Sequence, residues 1–360
     1  MDNRAEGTML EKIIERLHLR PPTELVGVDI GTSSIKLCAL KKTKTGFKLQ
    51  KSARKHYADH ILHDGSILDQ GFVAKELQKL LKENNISTRA AAAALSSYTV
   101  VTKRITVPFL EEAALESSIK LEVESVIPYP LRDIYYNYYV MGADEEKETM
   151  MNLLIVAAKK EVVDSYMKVF SLAGLNLLML DVDVFAVTNL IEQVYGPSDF
   201  SVVAADIGSS VTNIAIIKGE AIEFTREILT GGRNLTEDIA RTQDIEYGEA
   251  EEKKLRGDSD VADLVREFVT NVTSEINKTI NFYVATKPRE TVGRIYLTGG
   301  ASLVPGLKEH IEQETGIDVE FLDPFRILTE EANGAAVGEH DSFYMPVALY
   351  LSSRVGDLIP

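Results

Sequence analysis

Two stretches of this chain carry the same reactive groups in the same order. In the first, an apolar run ends at Asp29 and leads through Gly31, Thr32, Ser33, Ser34 and Lys36 into a second apolar run. In the other, an apolar run ends at Asp206 and leads through Gly208, Ser209, Ser210 and Thr212 into its own apolar continuation. A strand ending in aspartate leaves a carboxylate at the edge of a sheet. A glycine two positions later lets the backbone turn so that successive N–H groups point at one anion. The hydroxyls add short donors, and Lys36 adds a full positive charge. Two aspartates from opposite walls of a cleft suit Mg2+, which takes one or two carboxylates, keeps several waters and accepts phosphate oxygens. A single motif of this kind is ordinary turn chemistry. Its return half a chain length later predicts a two-lobed protein that closes around a phosphate.

Two glycine pairs extend this reading. Thr298-Gly299-Gly300-Ala301 follows an apolar run and precedes Pro305-Gly306, the pattern of a strand, a turn and a helix start. Bare backbone at Gly299 and Gly300 offers a flat surface for a purine or ribose. Gly231-Gly232, followed by Asn234, opens a predicted helix whose N-terminal dipole favours anions. Either pair alone fits a tight strand-to-helix turn equally well. The chain has no G-x-x-x-x-G-K-[ST], which excludes a Walker-type loop, and no G-x-G-x-x-G after a strand, so a dinucleotide fold has no support.

The rest of the chain must position these groups. At 360 residues it is long enough for about two domains. A net charge of −16 argues against a broad nucleic-acid surface, so a polyphosphate would need local donors to reverse the field. Cys38 is the only cysteine, which excludes an internal disulfide and a cysteine metal site. The start lacks a signal pattern and no apolar run reaches the length of a membrane span, so the expected compartment is the cytoplasm.

Residues 9–19 place Leu10, Ile13, Ile14 and Leu17 on one helical face ahead of Pro21 and Pro22. Each aspartate motif reads as strand, turn, strand, with a further turn at 41–46 in the first copy and at 218–220 in the second. Phe72, Val73, Leu77, Leu80 and Leu81 mark a helix. Residues 88–180 alternate strand and helix as an α/β insert, and residues 233–289 read as mostly helical. The expected divisions are an N-terminal segment 1–24, a first lobe 25–203 with its insert at about 88–180, a second lobe 204–334, and a segment 335–360 returning as a helix to the first lobe.

These motifs together resemble the actin, sugar-kinase and heat-shock-chaperone ATPase superfamily. Asp29 to Lys36 resembles its first phosphate loop, Asp206 to Thr212 its second, and Thr298 to Gly306 its adenosine loop. Gly231-Gly232-x-Asn234-Leu-Thr236, followed by Ala250-Glu251-x-x-Lys254, narrows the resemblance to the division protein FtsA and the type IV pilus assembly protein PilM family. Ile127-Pro128-x-Pro130, Val156-Ala-Ala-Lys159, Asp181-x-Asp183-x-Phe185-Ala186, Asp323-Pro324-Phe325 and Met345-Pro346 favour the PilM family. The chain lacks the amphipathic tail of FtsA and ends in Asp357-Leu-Ile-Pro360.

The resemblance implies a two-lobed actin-like, ribonuclease H-like α/β fold with a small inserted subdomain in the first lobe. It implies ATP and Mg2+ as ligands, with Asp29 and Asp206 holding the metal through water and Glu251 and Lys254 contacting ribose and base. It further implies a cytoplasmic member of the inner-membrane pilus platform, reaching the membrane through a protein partner and without inserting into it. That partner would be the cytoplasmic N-terminal peptide of PilN, held in a groove between the insert and the first lobe; other platform and motor proteins would follow, and no nucleic acid.

Hydrolysis needs a group that orients water. Asp181, Asp183, Glu192, Gln193 and Asp206 are candidates among which no motif chooses, so tight ATP·Mg2+ binding with slow or absent turnover is expected. A carbohydrate kinase and a filament-forming FtsA-like protein are the alternatives. His56, His60 and His63 read as a solvated loop rather than a metal site. The tyrosines 129, 135, 136, 138 and 139 read either as sheet packing or as a partner-facing surface.

Overall fold

The computed structural model describes residues 22–57, 61–63, 65–110, 112–144, 147, 149–219, 221–328 and 341–358. The expected helix at 9–19 and His60 of the expected histidine loop lie outside them.

The first motif folds as predicted: β1 (Glu24–Ile30), β2 (Ser34–Lys42) and β3 (Phe47–His56) form an antiparallel meander. Asp29 pairs with Lys36 across β1 and β2, and Lys36 with Arg54 across β2 and β3. A two-residue pair, β4 (Leu62–His63) and β5 (Ser66–Ile67), leads to helix α1 (Gln70–Glu83). Asp69 caps α1 by accepting from the Phe72 N–H at 2.8 Å. The helical spacing of Val73, Leu77, Leu80 and Leu81 buries one face on the sheet. Each such side chain contributes about 1.5–3 kcal/mol when fully buried.

Strand β6 (Ala90–Leu95) lies parallel to β1 in the middle of the sheet. The chain then leaves for a three-stranded antiparallel sheet, β7 (Val100–Pro108), β8 (Ile134–Ala143) and β9 (Met150–Lys159), ordered β7-β9-β8. Helix α2 (Glu112–Val126) covers one side of it, and Ile119, Val123, Leu153 and Ile155 form a separate core there. The chain returns through α3 (Lys160–Ala173), β10 (Asn176–Val182) and α4 (Asp183–Tyr195). The expected insert at 88–180 is therefore too wide. Strands β6 and β10 belong to the main sheet, ordered β10-β6-β1-β2-β3, and α3 packs with α1 on its face.

The second motif repeats the first: β11 (Ser201–Ile207), β12 (Thr212–Lys218) and β13 (Ala221–Ile228) form the same meander. Helices α5 (Gly232–Gln243), α6 (Tyr247–Arg256) and α7 (Ala262–Thr286) follow, in the region read as helical. Strand β14 (Val292–Thr298), helix α8 (Leu307–Thr315) and strand β15 (Asp318–Phe321) complete a sheet ordered β13-β12-β11-β14-β15. The short helix α9 (Asp341–Tyr344) and helix α10 (Pro346–Ser353) end the described chain.

Core membership gives the layering. Val26, Val28, Ala91 and Ala93 face α1 and α3, whereas Leu25, Ala92 and Ala94 face α4 and α10. The α4 and α10 core continues onto Ala204 and Ala215 of the second sheet, so these two helices lie between the sheets. The other face of the second sheet packs on α5, α7 and α8. Gly27 permits the close approach of α10: a Cβ there would sit 1.9 Å from the Ala348 carbonyl oxygen.

Candidate functional site

Both aspartate hairpins open into one cleft of about 630 Å³ between the lobes. Asp29, Ser33, Ser34 and Lys36 line one wall, and Asp206, Gly208 and Ser209 the other. Gly232, Glu251 and Lys254 line it from the helical region, and Gly299, Gly300 and Ala301 from the turn after β14. Thirteen of the positions named from the sequence thus line one cavity.

Electrostatics set the walls apart. The Lys36 ammonium is 2.7 Å from an Asp29 carboxylate oxygen. Asp206 has no such ion pair of its own among the described residues. Burial pushes its carboxyl up to about 6, with Lys36 opposing the shift and Asp29 adding to it. Among the described residues no group of three His, Cys, Asp or Glu is placed to cage a metal. A pair of carboxylates facing a cleft therefore fits Mg2+ held mainly by water and phosphate, not a closed protein site.

Six predicted residues do not line the cleft, and their bonds explain why. Thr212 donates to the Thr230 carbonyl at 2.8 Å and is buried, pinning β12 to the turn before α5. The Asn234 side chain accepts from the Gly231 N–H at 2.9 Å, closing the N-terminus of α5. A Cβ on Gly231 would stand 2.5 Å from the Ser209 carbonyl oxygen. Gly31 and Thr32 lend their carbonyls instead: Gly31 accepts from the Tyr57 hydroxyl, and Thr32 from the Arg233 guanidinium at 3.0 Å. Ser210 lies in the turn beyond the lining residues.

One expectation is corrected. The N–H groups of Gly232 and Arg233 donate to the Gly208 and Ser209 carbonyls at 3.0 and 2.8 Å, so the start of α5 is docked on the second hairpin and its first donors are not offered to an anion. Gly299 and Gly300 line the cleft, and the side of each where a Cβ would stand is filled. Gly299 has φ +83° and packs on Ile207 and the Asp206 carboxylate, while the Tyr344 ring covers Gly300. A Cβ at Gly299 would lie 2.5 Å from an Asp206 carboxylate oxygen, so this glycine makes room for the aspartate.

Glu251 and Lys254 meet on one face of α6. The buried Lys254 ammonium donates to Glu251 at 2.6 Å, to the Thr236 hydroxyl at 2.9 Å and to the Gly232 carbonyl at 3.2 Å. Burial lowers its pKa, while Glu251 opposes that shift. Residues outside the predicted set also line the cleft: His56, Tyr57, Arg233, Glu237, Tyr247 and Tyr344. His56, expected in a solvated loop, is instead the last residue of β3, opposite Ser34, and the next residue, Tyr57, donates its N–H to the Ser33 carbonyl at 3.1 Å. The others have no motif of their own.

The water-orienting candidates separate. Asp181 is 2.7 Å from Arg354. Gln193 accepts from Ser353 at 3.4 Å. Asp183 starts α4 and accepts from the Ser97 N–H at 2.8 Å and from Asn213 of the second lobe at 3.3 Å. Burial, reinforced by the charges of Asp206 and Asp29, pushes Asp183 up to about 7. None of these three, nor Glu192, lines the cleft.

The family model for the type IV pilus assembly protein PilM matches residues 27–349. The chain belongs to the PilM family. In overall fold it is similar to a solved PilM–PilN type IV pilus biogenesis complex, with a TM-score of 0.83 and 24% identity over 95% of this chain and 100% of that one. It is also similar to the ethanolamine utilization protein EutJ of Carboxydothermus hydrogenoformans, with a TM-score of 0.58 and 18% identity over 96% and 99% of the two chains. The cell division protein FtsA of Enterococcus hirae is 24% identical over 48% of this chain and 44% of its own length. FtsA of Streptococcus pneumoniae is 22% identical over 42% and 44%. The matched region spans less than half the length of these two relatives. The fold is the actin-like α/β fold, and the family is that of a pilus assembly protein. No described helix of this PilM family member is long and apolar enough to cross a membrane.

Proposed function

We propose that this PilM family protein binds ATP·Mg2+ between its lobes and uses nucleotide state to shape a groove for the cytoplasmic N-terminal peptide of PilN. The observation that carries the nucleotide reading is the convergence of Asp29, Lys36 and Asp206 from mirrored hairpins on one cavity. Asp29 and Asp206 would hold the metal through water, and the metal would neutralise phosphate charge. Ser33, Ser34 and Ser209 would donate to phosphate oxygens, and Glu251 and Lys254 would meet the ribose and base. On this reading turnover is slow or absent: of the five sequence candidates for orienting water, Asp206 alone lines the cavity.

The peptide groove falls where the small sheet meets α3. There Tyr135 is exposed, shares a hydrogen bond with Asp164 of α3 at 3.2 Å, and has the Lys160 ammonium 5.3 Å from its ring centre. Tyr129 has Lys159 at 5.2 Å in the same way. Exposed aromatic faces beside cations suit a peptide partner. Docking there would bring the protein to the inner membrane through that partner. The sugar-kinase alternative has no observation of its own to favour it.

Isothermal titration with ATP·Mg2+ tests the first half: micromolar or tighter binding is expected, lost in Asp29→Ala and Asp206→Ala. A pull-down with the PilN peptide, with and without ATP, tests the second. Equal capture in both conditions would refute the coupling.

A further inference from the structure

One arginine in the first lobe has no role in the arrangement above. The Arg54 guanidinium lies flat on the Tyr344 ring, its central carbon 3.5 Å from the ring centre. Its Nη1 is buried and has no hydrogen-bond partner among the described residues. Arg54 is directly opposite Lys36 on β3, and Lys36 is directly opposite Asp29. Directly opposed residues project from the same side of a sheet. A carboxylate, an ammonium and a guanidinium therefore form one row across three strands, leading away from the metal-facing corner. Neighbouring strands are about 4.8 Å apart, so the row spans about 10 Å, a distance that a phosphate chain and a long side chain cover together.

Tyr344 is tied to the other lobe. Its ring sits on Gly300, and the preceding Phe343 carbonyl accepts from the Gly299 N–H at 3.0 Å. The stack of Arg54 on Tyr344 is thus a contact between the first lobe and the Gly299 turn of the second.

Resting on the nucleotide reading, we propose that Arg54 is a phosphate ligand held in reserve by Tyr344, and that a polyphosphate in the cleft draws the guanidinium off the ring. A guanidinium makes charge-assisted, often bidentate hydrogen bonds to phosphate, and these are stronger than its stack on a tyrosine face. The same movement removes a lobe-to-lobe contact, so the anion would be read out as a change in the contact between lobes. The ligand chemistry is the phosphate chain itself, independent of the base.

Titrations with ATP·Mg2+ and with magnesium tripolyphosphate, which has no base, test this on the whole chain. Arg54→Gln is expected to weaken both ligands about tenfold, with a cooperative melting curve recorded alongside to show that the variant is folded. Tyr344→Ala is expected to bind tripolyphosphate several-fold more tightly, since nothing then holds the guanidinium back. The chain has no tryptophan, so Tyr344→Trp supplies a single tryptophan, excited selectively over the tyrosines, under the guanidinium. Its emission should shift on adding tripolyphosphate, and the shift should vanish when Arg54→Gln is added. Unchanged affinities in Arg54→Gln overturn the proposal, as does a Tyr344→Ala protein that loses ATP and keeps tripolyphosphate, which would make Tyr344 a base contact. If wild type binds ATP and only the variants disagree, the nucleotide reading stands without this inference. If wild type binds neither ligand, both fall.

Discussion

Replacing Asp206 by asparagine should move stability and ligand affinity in opposite directions. Burial raises its carboxyl from 3.8 to about 6, so the folded state holds that proton more tightly than the unfolded chain does. The group favours folding at low pH, and this advantage is lost as pH rises from about 4 to about 6. Above that window the buried charge costs about 3 kcal/mol, since each pH unit by which the carboxyl is raised corresponds to about 1.4 kcal/mol, and less where solvent reaches the side chain. Asp206→Asn should therefore raise the melting temperature at pH 7.5 and leave it unchanged near pH 4. Ligand binding runs the other way. At pH 5 a carboxyl with a pKa of about 6 is ionised in roughly one molecule in ten, so wild-type affinity for ATP·Mg2+ should fall about tenfold from pH 7.5 to pH 5. The asparagine variant should bind weakly at both, with little slope. Differential scanning fluorimetry and titration calorimetry at the two pH values read both effects. A variant that is destabilised at pH 7.5, or that keeps the wild-type pH slope of binding, would refute this account of Asp206.

Lys36→Ala should weaken ATP·Mg2+ about 10- to 100-fold by removing one charge-assisted contact, read by calorimetry. Gly27→Val should cost about 3 kcal/mol or more in denaturant unfolding, because the new side chain meets the Ala348 carbonyl and forces α10 off the first sheet. Tyr135→Ser should weaken capture of the PilN peptide about tenfold while leaving ATP affinity at its wild-type value. Lys254→Met should keep the fold and lower ATP affinity at least tenfold in the same calorimetric titration, since it leaves Glu251 and Thr236 without their shared donor.

The mirrored hairpins were legible because their signal is local. A strand ending in Asp, a glycine turn and a return strand are set by neighbouring residues, and repetition made the pattern specific. Strand β6 was not legible for the opposite reason. A run of alanines carries no hydrophobic contrast and favours helix by propensity. It becomes a strand because Ala91 and Ala93 fill one core, Ala92 and Ala94 the other, and small side chains let helices approach both faces. That strand decides where the small sheet begins, so the insert boundary could not be read without it.

By itself the sequence determined the two-lobed α/β plan, the acidic residues that meet in the cleft and the family to which those motifs belong. Only the tertiary structure decided which hydroxyls and glycines face that cleft. Thr212, Gly231 and Asn234 share the composition of phosphate-facing residues, yet their groups are consumed in holding α5 against the second hairpin. The same holds for Arg54 and Tyr344, which are far apart in the chain and meet across the lobes. Residue type and spacing specify what a side chain is able to bond; packing of distant segments specifies which of those bonds is made.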